Sequence, residues 1–193
     1  MTQVAIEAFD VVFESARLNF APLDRRHAAG PYLRWMNDPE IVHFLEARHR
    51  AHDEAAIAAY IEAVNADERQ HMFGIFLKVT GRHIGNIKLG PIFDHYRRAD
   101  MGFLIGEKEL WGQGYATEAI RAVTRYAFES LGLNKVTAGL YEENVGSLKA
   151  FQKAGFEEEG RRPQQYLCDG RWTSEVLVGR TRDRGFDATA NRP

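Results

Sequence analysis

Leu110–Ala119 reads LWGQGYATEA, and this stretch decides the fold that the sequence predicts. Gly112 and Gly114 lie two residues apart, and small residues then lead into a helical pattern that ends at Gly132. A loop without bulky side chains lets backbone amides approach a phosphate, and the N-terminus of the following helix adds partial positive charge. The stretch therefore predicts an anion-binding site where a loop meets a helix.

Two better-known phosphate loops do not fit these residues. A Walker loop needs Gly-Lys followed by Ser or Thr, whereas Tyr115 and Ala116 follow Gly114. A dinucleotide fingerprint needs a third small residue three positions after Gly114, where Thr117 stands, and no acidic ribose partner follows at the expected distance. On these residues alone, a tight turn that binds no ligand stays an open alternative.

Composition and charge narrow the class of protein. The 193 residues carry a formal net charge of −2, which gives no field for nucleic acid or for an anionic membrane. One cysteine, Cys168, excludes an internal disulfide, and we find no signal peptide and no apolar run long enough to cross a bilayer. We therefore expect a cytoplasmic protein with one domain over 10–182 and loosely ordered ends at 1–9 and 183–193.

Outward from the glycine loop, the periodicity of apolar residues alternates between strand and helix patterns. In chain order it predicts a strand at 16–23, a short helix from Pro31, a helix restart at Asp38-Pro39-Glu40, a helix at 53–64, strands around the turn at 80–82, a strand at 98–106, the long helix after the loop, a strand at 134–141, a short helix capped by Asn144 and stopped by Gly155, and a hairpin turning at Asp169-Gly170. This order lacks the strict βαβ repeat, so we predict an α/β fold with a mixed sheet.

The glycine loop and its downstream residues together resemble the GNAT superfamily of N-acetyltransferases, which move acetyl from acetyl-coenzyme A to an amine. The family's pyrophosphate loop reads Gln/Arg-x-x-Gly-x-Gly/Ala; Gly112 and Gly114 match it, while Glu109 departs from its first position. ENVGSLKAFQKAGF, at 143–156, is similar to the family's second signature, and YLRWMNDPEIVHFLEAR, at 32–48, is similar to the RimJ/RimL-like branch. The resemblance implies a mixed, mostly antiparallel central sheet with helices on both faces.

Acetyl-coenzyme A is the co-substrate that the resemblance implies, and no metal is expected. His49 and His52 lack a third metal ligand nearby, so we interpret them as surface histidines. The strand before the loop is expected to pair with the pantetheine arm, and a backbone amide near Met101 to Phe103 to meet the thioester oxygen. The residues that the resemblance assigns to the coenzyme are Leu104, Ile105, Gly112, Gln113, Gly114, Tyr115, Ala116, Thr117, Asn144 and Ser147. Lys149 and Lys153 lie four residues apart on the predicted short helix, where Lys153 is a further candidate to meet the coenzyme's phosphates; a solvated helix face is the alternative.

Catalysis requires that the acceptor ammonium lose a proton and that the leaving thiolate gain one. Asp100 is the carboxylate of the predicted strand and our candidate base; a salt bridge to Arg97 or Arg98 is the alternative. Many family members place a tyrosine where this chain has Phe151, so Ser147, Tyr141 or solvent has to supply the second proton. Cys168 is interpreted as an idle thiol, which favours direct transfer in a ternary complex over an acyl-cysteine.

The chemical class of the acceptor is predicted from three segments that line the acceptor pocket in this family: the N-terminal helices, the segment before the strand at 98–106, and the final hairpin. These segments hold Trp35, Tyr96, Arg97, Arg98 and Tyr166. Arginines suit phosphate, so we expect an anionic small-molecule amine, with a nucleotide-linked amino sugar first. A peptide N-terminus, an aminoglycoside or a polyamine is the alternative acceptor, and a non-catalytic acyl-coenzyme A binding module is the alternative function. If the arginines are solvated or paired with acidic side chains, the case for an anionic acceptor fails. A homodimer is implied by the resemblance only.

Overall fold

One mixed sheet organises residues 11–182, the part of the chain that this computed structural model describes; the predicted ends at 1–9 and 183–193 and residue 10 lie outside the described residues. Its strands are β1 (Phe13–Glu14), β2 (Leu18–Pro22), β3 (His71–Leu77), β4 (His83–Phe93), β5 (Arg98–Ile105), β6 (Lys135–Tyr141), β7 (Glu157–Cys168) and β8 (Arg171–Thr181). Their spatial order is β1-β2-β3-β4-β5-β6-β8-β7, and every neighbouring pair is antiparallel except β5 with β6. The predicted mixed, mostly antiparallel sheet is confirmed.

The parallel pair β5–β6 is short, and its early end leaves a gap in the sheet. Arg98 pairs with Lys135, Ala99 with Val136, and the last pair joins Asp100 to Thr137. After Asp100 the pairing of β5 with β6 ends, although 101–105 still pair with β4 and 138–141 still pair with β8. The sheet therefore opens into a gap whose apex is Asp100.

Helices cover both faces of the sheet, as predicted. They are α1 (Pro31–Met36), α2 (Glu54–Asn65), α3 (Tyr115–Glu129) and α4 (Val145–Lys153). α3 buries Ile120 and Val123 in the core on one face, whereas α1 buries Trp35 and α2 buries Ile61 on the other. Each large apolar side chain that is fully buried contributes about 1.5–3 kcal/mol, so these two cores hold the helices on the sheet.

Helix ends follow the local signals in the sequence. Asp53 caps α2 by accepting from the Ala56 amide at 2.7 Å, and Asn144 caps α4 by accepting from the Ser147 amide at 3.2 Å. α3 starts directly after Gly114, and Gly132 follows its end with φ +64°. No helix within 11–182 is long and apolar enough to cross a membrane.

Two predicted elements differ from the structure. The helix restart at Asp38-Pro39-Glu40 is wrong, since Asp38 closes a turn by accepting from the amides of Glu40 and Ile41, at 3.0 and 3.4 Å. A local turn satisfies these amides without the cost of nucleating an isolated helix. The strand predicted at 16–23 is shorter than expected and is preceded by β1, which pairs with it through Phe13 and Phe20.

Candidate functional site

A cavity of about 740 Å³ lies between the diverging end of β5 and the start of α4. Four segments build it: the last residues of β5, the glycine loop with the first turn of α3, the first turns of α4, and part of the chain between α1 and α2. Its lining residues include Phe103, Leu104, Ile105, Leu110, Trp111, Gly112, Gly114, Tyr115, Ala116, Thr117, Asn144, Ser147, Lys149 and Lys153. All coenzyme residues expected from the sequence lie here except Gln113, so distant parts of the chain meet in one place.

The glycine loop offers backbone amides without side-chain obstruction. Gly112 and Gly114 have φ of +75° and +83°, a backbone conformation that glycine adopts at little cost. A β-carbon on Gly112 would meet nothing within 4 Å, and one on Gly114 would meet only the Arg17 guanidinium, at 3.6 Å. The amides of 114–117 have no hydrogen-bond partner within the described residues. Free amides at a helix N-terminus are the donors that an anion requires.

Gln113 and Glu109 depart from the expected arrangement of the loop. The Gln113 side chain donates to the Glu109 carbonyl at 2.6 Å, and the Gln113 carbonyl accepts from Arg17 at 3.2 Å. The Glu109 carboxylate turns to Arg82, with Nη2 and Oε1 2.5 Å apart. Both side chains therefore brace the loop rather than line the cavity, and the cradle consists of backbone.

The free edge of β5 forms one wall of the cavity. Leu104 and Ile105 both line it, as expected, and residues 101–105 have no strand partner on the β6 side within 11–182. The Ile105 carbonyl already accepts from the Trp111 indole at 2.8 Å, which holds Trp111 over the loop. Unpaired backbone next to a sheet is a template on which an extended chain forms strand-like hydrogen bonds.

Asp100 lies at the apex of the gap. Its side chain is 46% exposed, and Oδ1 accepts from the Thr137 hydroxyl across the last β5–β6 pair. Arg98 Nη1 approaches the same oxygen at 3.5 Å, which is the salt bridge expected as the alternative to a base. Its two neighbours, Ala99 and Met101, are buried in the core that α3 covers. Since successive side chains of a strand point to opposite faces, Asp100 faces the other side of the sheet.

Phe151, which stands where the family often has a tyrosine, is a core residue. It is 1% exposed and packs against Phe103 and Phe156, with ring centroids 5.7 and 4.9 Å away. Ser147 lies in the cavity one turn earlier on the same helix. Of the hydroxyl groups that the sequence analysis considered, Ser147 is the one that the structure brings to the coenzyme residues.

Tyr141 is buried but lies outside the cavity, in a stacked pair of aromatic rings. Its ring stacks on Tyr166 with centroids 4.0 Å apart, and its hydroxyl donates to Glu46 at 2.5 Å. The Tyr166 hydroxyl donates to Glu175 at 2.7 Å. Burial, followed by the hydrogen bond to a carboxylate, raises the pKa of both phenols above the ordinary tyrosine value, so both keep their protons at neutral pH.

Trp35 is not placed to touch an acceptor. Its side chain is fully buried, and its indole donates at 2.9 Å to Glu107, itself 4% exposed. Arg34 and Arg82 pair with the same carboxylate. The ring also packs on His83 at 4.9 Å. Trp35 therefore belongs to the core between α1 and the sheet and not to the acceptor site predicted from the sequence.

Trp35→Phe should therefore lower the free energy of unfolding by about 1–3 kcal/mol, because buried Glu107 loses a donor. The acceptor KM and kcat of the folded variant should match those of the parent chain. Urea denaturation followed by steady-state assay checks both values. A raised acceptor KM at unchanged stability would contradict this assignment and restore Trp35 to the acceptor site.

The remaining residues assigned to the acceptor also lie outside the cavity. Tyr96 is 72% exposed on a 3-10 turn before β5. Arg97 donates twice to the Gly132 carbonyl, at 2.9 and 2.5 Å. The Arg98 guanidinium stacks on the Phe93 ring at 4.0 Å and has its one hydrogen bond, at 3.5 Å, to Asp100. Only Arg98 of this group adjoins the apex of the gap.

A further wall of the cavity was not predicted from the sequence. Glu40, Ile41, His43, Phe44 and Leu45 line it, and they come from the irregular segment between α1 and α2. Ile41 is 9% exposed, and Phe44 lies 5.7 Å from the Tyr141 ring. A predicted helix in this segment obscured the run of apolar residues that gives the wall its character.

His43, Cys168 and Asp169 also meet at this wall, with potential ligand atoms within 4.8 Å of one another. The His43 Nε2 atom lies 3.8 Å from Cys168 Sγ and 3.7 Å from Asp169 Oδ2. Arg48 Nη1 lies 3.5 Å from the same sulfur, and its guanidinium opposes any cation there. Cys168 is buried, in keeping with its interpretation as an idle thiol.

Comparison with known proteins agrees with this geometry. Residues 17–157 match the family described as the acetyltransferase (GNAT) domain, a span that includes every residue of the cavity wall. YjcK of Bacillus subtilis (strain 168), a probable N-acetyltransferase, is 37% identical over 123 residues, 63% of this chain and 67% of that protein. YoaA of the same strain, an uncharacterized N-acetyltransferase, is 28% identical over 151 residues, 77% of this chain and 84% of that protein.

Solved structures share the fold. A spermidine N-acetyltransferase from Vibrio cholerae in complex with CoA and spermine has a TM-score of 0.77 at 20% identity, covering 86% of this chain and 96% of that one. Mycobacterium smegmatis RimJ in complex with CoA-disulfide has a TM-score of 0.73 at 23% identity, covering 85% of this chain and 81% of that one. At these identities the likeness concerns the fold alone.

Proposed function

Since this chain belongs to the acetyltransferase (GNAT) family and is an acetyl-coenzyme A-dependent N-acetyltransferase, we propose that it acetylates a small-molecule primary amine by direct transfer in a ternary complex. The observation that carries the proposal is the coincidence at Asp100: the exposed carboxylate stands where β5 and β6 part. The gap between the two strands begins at Asp100, and the part of β5 that follows it lines the coenzyme cavity.

The chain's residues fit the coenzyme. The amides of 114–117 are free to receive a pyrophosphate, and the open space at Gly112 leaves room for its approach. The free edge of β5 at Leu104 accommodates the pantetheine arm, and Asn144 and Ser147 face it from α4. Bound acetyl-coenzyme A supplies a thioester whose carbonyl carbon is attacked by the amine while the carbon–sulfur bond breaks.

Asp100 is proposed to accept the proton of the acceptor ammonium, directly or through one water. Amines are protonated at neutral pH, and only the neutral form is nucleophilic. The Thr137 hydroxyl fixes the carboxylate by donating to Oδ1, which leaves Oδ2 free of partners within the described residues. A carboxylate held in place with one free oxygen is suited to proton transfer.

Variants of Ser147 and Tyr141 test which of the two hydroxyl groups donates a proton to the leaving thiolate. Ser147→Ala should lower kcat about tenfold, the value of one lost hydrogen bond of ~1.4 kcal/mol. Tyr141→Phe should leave kcat within about twofold of the parent, because Tyr141 lies outside the cavity and its hydroxyl is held by Glu46. Single-turnover kinetics with thiol detection measure both. A larger loss in Tyr141→Phe, with a shifted alkaline limb, would reverse the assignment.

The acceptor that we propose is an anionic amine, a nucleotide-linked amino sugar first, and Arg98 is the group proposed to meet its charge. Arg161 is paired with Glu158 and Arg162 with the buried Glu175, so their charges already have carboxylate partners, while Arg97 donates to a carbonyl away from the apex. Arg98 has one long hydrogen bond, and its other N–H groups have no partner within the described residues. A planar guanidinium with free donors recognises phosphate well.

Arg98→Ala should raise the acceptor KM about 10- to 100-fold, the value of a charge-assisted hydrogen bond. Arg97→Ala is the matched control: Arg97 is bound to the Gly132 carbonyl beyond the end of α3, so its removal should leave the acceptor KM unchanged. The KM for acetyl-coenzyme A should hold in both variants. Equal effects of the two substitutions, or none, would leave the anionic acceptor without its binding group.

An acceptor panel with acetyl-coenzyme A tests the function as a whole. Amino sugars, nucleotide-linked amino sugars, aminoglycosides, polyamines and peptides are compared by thiol release and by mass of the product. Turnover of a nucleotide-linked amino sugar above the others supports the proposal. Preference for spermidine or a peptide would overturn the acceptor class, and coenzyme binding without turnover of any amine would favour a binding module.

A further inference from the structure

A second cavity of about 630 Å³ adjoins the first one on the outside of the glycine loop. Gly114, Thr117 and Lys153 line both cavities, so the two are joined at the N-terminus of α3. The other lining residues come from the chain before β2 and from the exposed side of α3. An extended ligand that passes the loop amides therefore reaches this second cavity next.

Positive charge exceeds negative charge around the second cavity, because four cationic side chains and one carboxylate, that of Glu118, line it. Arg121 and Arg125 donate only to the carbonyls of Lys153 and Glu14, and none of Arg121, Arg125 and Lys153 has an acidic partner within residues 11–182. Arg17 also lines it and pairs with Glu118, at 2.6 Å. Three unneutralised cations around one concavity favour an anion.

The arrangement of these cations suits a phosphate monoester. Arg121 and Arg125 lie four residues apart, and therefore on the same face of α3. Lys153 faces them from the end of α4, with its carbonyl bound by Arg121. Two planar guanidinium groups and an ammonium provide more donors than a carboxylate can accept, whereas a dianionic phosphate has three oxygens for them.

We propose that Arg121, Arg125 and Lys153 bind the ribose 3′-phosphate of coenzyme A and so select the coenzyme over its dephosphorylated form. The inference rests on the proposed function, because it places the pyrophosphate on the loop amides between the two cavities. The two cavities then have separate roles. The loop amides bind the pyrophosphate, which both forms of the coenzyme have, whereas the three cations bind the 3′-phosphate, which only coenzyme A has.

Calorimetric titration with coenzyme A and with dephospho-coenzyme A tests the inference. The parent chain should bind coenzyme A about 10- to 100-fold more tightly, the value of one or two charge-assisted hydrogen bonds. In R121Q/R125Q this preference should fall to about twofold or less, while the affinity for dephospho-coenzyme A holds. Arg50→Gln is the matched control, because Arg50 is an exposed arginine that lines neither cavity; it should leave the ratio between the two ligands as in the parent.

Equal affinity of the parent chain for both ligands, or a preference that survives R121Q/R125Q, would overturn the inference while leaving the coenzyme site intact. Failure of both ligands to bind the parent chain would overturn the proposed function and the inference with it. R125Q and K153Q are single changes that each remove one charge, and each should lower the ratio in part. They keep the test decisive should the double variant fail to fold.

Discussion

Gly114→Val is expected to lower the affinity for coenzyme A by at least about 100-fold, equivalent to 2.7 kcal/mol or more. The glycine amide is one of the free donors at the start of α3, and its bare α-carbon lets a phosphate approach. A valine side chain would stand in that path, and its branched β-carbon would also resist the φ of +83° that turns the loop. Calorimetric titration with coenzyme A measures the loss.

Gly132→Val is the control that separates backbone strain from loss of the site. Gly132 lies beyond the other end of α3 with φ +64°, and a β-carbon there would also meet one arginine nitrogen, that of Arg97, at 3.6 Å. Both substitutions should cost roughly 1–3 kcal/mol of stability through the strained backbone. Only Gly114→Val should weaken binding. A folded Gly114→Val chain with the affinity of the parent would refute the pyrophosphate assignment.

The sequence predicts those parts of the fold that local chemistry determines. Gly114 and Gly132 bound α3, Asp53 and Asn144 cap their helices, and β5 alternates partly exposed and buried residues from Arg98 to Met101. Each of these depends on residues close together in the chain, so a spacing or a single cap is sufficient. The resemblance to the family also rests on short stretches, in the loop and in α4, so the coenzyme residues that it implies could be named before the two stretches were known to line one cavity.

The acceptor side was less predictable because it depends on long-range partners. Arg97 binds Gly132, 35 residues away, and Trp35 binds Glu107, 72 residues away. A side chain's type shows what it is able to bind, whereas its actual partner follows from the packing of distant elements. The wall at Ile41 to Leu45 lies in an irregular segment for which local signals predicted a helix, so its place in the cavity was missed.

Asp100→Asn is expected to lower kcat/KM by roughly 10²- to 10⁴-fold, the usual range for a general acid–base group. Asparagine has nearly the same volume, and its carbonyl oxygen can still accept from the Thr137 hydroxyl, so the fold at the apex should persist. The variant lacks a group that accepts the ammonium proton. Its deficit should shrink as pH rises, because free amine then becomes abundant without help from the protein.

Two controls make the Asp100 result specific to proton transfer. Asp94→Asn makes the same chemical change on the exposed turn before β5 and should leave kcat/KM unchanged. Thr137→Val removes the donor that fixes Asp100 but keeps the carboxylate, so its loss should be about tenfold and should retain the parent's pH dependence. The decisive measurement is the pH–rate profile of Asp100→Asn. If kcat/KM falls by the same factor at every pH, Asp100 positions the acceptor or orders Arg98 and does not serve as the base.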